Sequence, residues 1–237
     1  MSESRTTEAV AAASDPDVGD QDEIRRESGL HAPHRLFALS DGVFAISMTL
    51  LALDVRIPEG VPETSDAFRE AAGELYSQFG IFVLAFVIAG RFWMGNHKIM
   101  GKLHTVNTGV MSRTVLFLAG ICSIPVATAV LFRFGGVPEA VAFAALILAA
   151  TSLQSGRLWW YLTQPGRHLS HDDPATRLPL LVQSLWSTGV YLLAIPIAYL
   201  LAHVGSHEHV AYATLIWLLL MFDGVFSRSL VRFLRRT

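Results

Sequence analysis

The chain has 237 residues, of which 52% are apolar and 16% charged, with a formal net charge of −2. A mean hydropathy of +0.43 excludes an ordinary soluble domain, and the near-neutral charge gives no footprint for nucleic acid. A single cysteine, Cys122, excludes an intramolecular disulfide and any multi-cysteine metal site.

Residues 1–33 are rich in Ser, Thr, Ala, Asp and Glu and almost free of large apolar side chains. Such a composition cannot offset the entropy of ordering, so a disordered cytoplasmic tail is expected. It lacks the apolar core of a secretory signal, and no cleavage is expected. Residues 34–237 read as one six-helix transmembrane domain, which makes the chain an all-α integral membrane protein of the cell membrane. The spans run approximately Leu36–Leu53, Leu75–Trp93, Arg113–Phe132, Glu139–Tyr161, Leu178–Leu201 and His209–Leu230. Each is close to the roughly twenty residues needed to cross about 30 Å of hydrocarbon at about 1.5 Å per residue. Pro125 and Pro196 fall inside the third and fifth spans, where a kink is expected without termination. Arg91 and Asn96 mark a membrane boundary, and the short polar breaks leave no room for a soluble domain.

Orientation follows from the cations. With a cytoplasmic N-terminus, fifteen Lys and Arg residues fall inside, and only Arg56, Arg69 and Arg133 fall outside. The positive-inside rule then places both termini in the cytoplasm. The Arg-rich C-terminus reads first as this topology signal, with contact to anionic lipid as a further reading.

The first span carries Asp41 among apolar residues. An ionised Asp at the centre of a lone membrane helix costs roughly 2.5–3.5 kcal/mol, so the carboxylate is expected to turn toward protein. At about 100° per residue, Leu39, Val43, Ile46, Leu50 and Leu53 share one stripe, while Phe37, Asp41, Phe44 and Met48 lie opposite. The aliphatic stripe is left to face lipid, a neighbouring subunit or a pore axis.

The stretch Arg35-x-x-x-Leu39-Ser40-Asp41-Gly-Val-Phe-Ala-Ile46-x-x-Thr49-Leu50-Leu51 resembles the first-helix signature of the transmembrane protein 175 family of lysosomal and bacterial potassium channels. Leu39 stands where that family usually has Phe. Trp93-x-x-x-His97, at the end of the second span, is a further point of similarity. The resemblance covers roughly residues 34–237 and is that of a single-repeat bacterial member. It implies a homotetramer in which the first helix of each subunit lines a central pore for potassium ions, with membrane lipid outside and no cofactor. It places Ile46 at the narrowest point, with Leu50 and Leu53 extending the aliphatic passage and Thr49 offering a selectivity hydroxyl, Ser47 being a weaker candidate. Apolar rings of this kind close a pore by dewetting it. Arg35, Ser40, Asp41, Trp93 and His97 would form a network bracing the pore helix. Because histidine titrates near neutral pH, protonation within that network is also a candidate switch for gating.

Other polar features read as ordinary structure. His203, His207, His209 and Glu208 suit a solvated outer loop better than a metal site, and His168, His171, Asp172 and Asp173 suit an inner turn. Asp223 needs a partner in the last span. No clustered nucleophile or paired carboxylates point to an enzyme. The competing functional class is a secondary transporter or proton-coupled cation exchanger using Asp41, although the broken helices and repeats usual in such proteins are not evident. 

Overall fold

The computed structural model describes residues 16–56, 64–103, 105–164, 177–204 and 207–222, with side chains for 33–56, 64–103, 105–164, 180–204 and 210–220. The inner His168–Asp173 turn, Asp223 and the C-terminal arginines lie outside these residues. Five α-helices follow in order: α1 (Pro16–Leu53), α2 (Ser65–Met100), α3 (Thr108–Phe134), α4 (Pro138–Leu162) and α5 (Arg177–Val204). A 3-10 segment, His207–Phe222, completes the described fold. The fold is all-α among the described residues, where five helices are long and apolar enough to cross a membrane.

The apolar part of α1 is Pro33–Leu53, close to the expected first span. Its backbone is helical from Pro16, whereas residues 1–33 were expected to be disordered; residues 1–15 are not described. α2 is longer than the expected span by ten residues at its start and seven at its end. Thr64 caps it by accepting a hydrogen bond from the Ala67 amide at 3.3 Å, and Asp66 lies in the first turn where the helix dipole favours an anion. A helix of 36 residues reaches about 54 Å, so α2 projects beyond the roughly 30 Å hydrocarbon layer. α3 and α5 continue through Pro125 and Pro196.

The last segment was expected as an α-helical span. At about 2.0 Å per residue, a 3-10 run of its 16 residues covers about 32 Å, so the tighter winding reaches bilayer length with fewer residues.

α1 packs on α2 and α3, α3 on α4, α4 on α5, and the 3-10 segment on α5. The main core joins Phe44 and Leu51 of α1 to Ile88, Phe117, Ile121, Leu148 and Tyr191. A smaller cluster around Leu36, Met100, Val110 and Trp159 closes the end of the bundle that carries the α2 C-terminus.

Lipid tails are as apolar as Leu, so helices in a membrane are held by close packing and hydrogen bonds more than by the hydrophobic effect. The α4–α5 contact shows both. A Cβ on Gly156 would collide with the Ser184 side chain. Beside it, Ser184 Oγ donates to the Ser152 carbonyl at 2.8 Å, and Ser152 Oγ donates to the Ser184 carbonyl at 3.2 Å. Gly120 plays the same part between α3 and α4, facing Thr151.

Candidate functional site: the first helix and its brace

Helical geometry divides the membrane part of α1 into three faces. Leu36, Ser40, Phe44, Ser47 and Leu51 are at most 6% exposed and form the face turned into the bundle. Leu39, Ile46, Leu50 and Leu53 are 43–62% exposed on a single chain. Asp41 lies on a third side, exposed, on the flank next to α2.

On the face expected to turn toward protein, Phe44 is buried, with its ring 6.1 Å from that of Phe117, whereas Asp41 is exposed on the single chain. Met48 also packs against the core. Ser47 is 3% exposed and points into the bundle, so it is no candidate for a hydroxyl on the aliphatic side. Val43 lies at the boundary, partly buried against the core.

Asp41 accepts a hydrogen bond from Trp93 Nε1 at 3.0 Å, tying α1 to α2. The His97 ring stands one turn further along α2, with its centroid 5.6 Å from that of Trp93. Three of the five expected network residues therefore meet. Arg35 does not join them. Six residues along a helix correspond to about 240°, which turns Arg35 away from Asp41 and toward the side of Ile46 and Leu53. Arg35 is exposed and makes no ion pair among the described residues. Ser40 is buried, with its hydroxyl oxygen unbonded.

Thr49 is exposed beside the aliphatic stripe, and its hydroxyl donates to the Ile46 carbonyl at 2.9 Å. A hydroxyl that spends its proton on its own helix keeps its lone pairs directed outward, where they can accept from water or coordinate a cation.

A buried polar layer escaped the sequence reading. Ser40 Oγ, Asn96 Oδ1 and Thr114 Oγ1 are all buried without a hydrogen-bond partner. Each lies about one turn from an aromatic of the Phe44–Phe117–Phe92 cluster, in the direction of the α2 C-terminus. Asn96 is 2% exposed and so faces the interior of the bundle. The hydropathy of α2 gives no hint of this, because one amide in an apolar helix shifts the average little.

The chain is similar to several known proteins. A family profile described as "Endosomal/lysosomal potassium channel TMEM175" matches residues 35–125. The chain is 31% identical to a potassium channel of Streptomyces collinus over 182 residues, covering 74% of this chain and 86% of that one. It is 24% identical to a potassium channel of Chamaesiphon minutus, covering 70% and 84%. Against the endosomal/lysosomal proton channel TMEM175 of Rattus norvegicus the identity is 31%, over 41% of this chain and 21% of the relative. The crystal structure of a lysosomal potassium-selective channel TMEM175 homolog from Chamaesiphon minutus superposes with a TM-score of 0.67 at 22% identity, covering 82% of this chain and 97% of that one. The chain is a multi-pass membrane protein and belongs to the TMEM175 family.

Proposed function

We propose that this protein is a potassium-conducting channel assembled from four copies, with α1 of each copy lining the central pathway. The carrying observation is the division of α1: an exposed aliphatic stripe on one side, and on another a carboxylate bonded to the neighbouring helix of the same chain. Asp41 then holds the helix while Ile46, Leu50 and Leu53 form the constriction. Thr49 supplies the hydroxyl that favours potassium. Assembly also answers the cost of Asp41, which is exposed on a single chain although hydrocarbon stabilises no carboxylate. Both termini are assigned to the cytoplasm by the cation distribution.

An aliphatic ring stabilises no partly dehydrated ion, so the closed state insulates without a charged plug, and opening is a widening. Reconstituted in liposomes, the protein should carry potassium down its gradient with no proton or sodium gradient imposed. Coupled exchange would instead require a second gradient, and a proton arm of the same assay addresses the activity named for the rat relative. Ile46→Asn should hydrate the constriction and raise conductance severalfold. Unchanged current in that variant would mean that α1 does not line the pathway.

A further inference from the structure

A cavity of about 440 Å³ opens between α2, α4 and α5, on the side of α2 away from α1. Arg91, Lys98 and Lys102 all contribute to its wall, and no carboxylate is among the described residues that line it. Ser155 and Gln183 add polar groups from α4 and α5. The Lys102 ammonium is held over the Trp159 ring, 5.2 Å from its centroid, which fixes one cation at the rim. Lys98 is exposed and has no ion-pair partner among the described residues.

We propose that this cavity binds the phosphate of an anionic phospholipid headgroup. The volume lies within the roughly 300–1,000 Å³ of ligand sites. Topology alone requires cations somewhere on the inner rim, but it does not require three of them to converge with amide and hydroxyl groups on one recess between helices. Arg91 and Lys98 share one face of α2, with Trp93 and His97 on the opposite side, and Lys102 follows in the turn just beyond the helix end. The recess lies toward the C-terminal end of α2, which the cation distribution assigns to the inner rim. Basic pockets between transmembrane helices are the usual receptors for such headgroups. The α4–α5 wall is tied together by the paired Ser152 and Ser184 hydrogen bonds. The site owes nothing to conduction and stands whether or not the channel reading holds.

The test is thermal melting of the purified full chain in neutral detergent, titrated with short-chain phosphatidylglycerol, short-chain phosphatidylcholine or inorganic phosphate. Phosphatidylglycerol should raise the melting temperature and phosphatidylcholine should not. Lys98→Gln should weaken the phosphatidylglycerol effect about fivefold, the loss expected for one basic residue at an anionic headgroup, while Lys98→Arg should retain it. Arg133→Gln, which removes a cation outside the cavity, should behave as the parent. Equal responses to the two lipids, an unaltered response in Lys98→Gln, or an equal loss in Arg133→Gln overturns the proposal. Stabilisation by inorganic phosphate without any by phosphatidylglycerol assigns the recess to a soluble anion and overturns the lipid assignment.

Discussion

α4 and the pair α1–α2 are of similar hydropathy, yet they are buried to different degrees. Half of the most apolar window of α4 is covered within the chain, against 28% for α1 and 17% for α2. The α3–α5 side closes by contact between small residues, with Gly120 against Thr151 and Gly156 against Ser184. The α1–α2 side is tied by the hydrogen bond from Trp93 to Asp41 and by a shared core of Phe44, Leu51 and Ile88, and it leaves an aliphatic stripe uncovered on the single chain. The α3–α4 contact and its seam with α5 form a scaffold closed within the single chain. The aliphatic side of α1 is an edge left open on it.

Two glycines break this comparison most directly. Gly156→Leu puts a side chain where Ser184 stands and separates the Ser152–Ser184 pair; overpacking of this kind costs about 1–3 kcal/mol, and loss of the paired bonds adds to it. A large fall in the melting temperature of the purified protein is expected. Gly42 is also helical, but nothing lies within 4 Å of a Cβ built on it. Gly42→Leu should therefore leave the fold of the single chain intact and change the assembly state seen by light scattering. If Gly42→Leu unfolds the chain as Gly156→Leu does, the distinction between scaffold and edge is wrong.

The brace should give a smaller effect. Asp41→Ala and Trp93→Phe each remove one partner of the 3.0 Å bond, and a cycle of the two single variants and the double variant isolates their coupling. About 1 kcal/mol is expected, the usual net value for a hydrogen bond. Asp41→Asn keeps an acceptor oxygen and should lose less than Asp41→Ala. Additive losses in the cycle would show that Asp41 and Trp93 act independently in the folded protein.

Much of this edge was legible in the sequence. The 100° period placed Leu39, Ile46, Leu50 and Leu53 together and put Asp41 on another side, because those spacings fix angles whatever the surroundings. The period could not say which apolar face meets protein and which meets lipid, since Phe44 and Leu53 are equally compatible with both. Ser40 and Ser47 show the consequence: small hydroxyls at the tightest contacts of α1 with the bundle, where a search for pore-facing polar groups would misplace Ser47. Arg35 was grouped with Asp41 by motif, although their spacing alone separates them around the helix. The basic recess was invisible for another reason. Its walls come from residues 91–102, 152–159 and 180–191, and only the packing of α2 against α4 and α5 brings those stretches together.

The smallest structural change sharpens the comparison furthest. Thr49→Val exchanges a hydroxyl for a methyl of nearly the same shape on an exposed position of α1, and the lost bond is a local one to the Ile46 carbonyl. Valine lowers helix propensity little relative to threonine, so stability should stay within about 0.5 kcal/mol, as for most surface substitutions. If α1 lines the pathway, the same change removes the outward lone pairs nearest the aliphatic constriction. The reversal potential in mixed potassium and sodium should then move toward the non-selective value, while Thr49→Ser, which keeps the hydroxyl, should stay near the parent. A shifted melting temperature with an unmoved reversal potential would place Thr49 at a packing contact, and the selectivity would have to arise elsewhere along the helix.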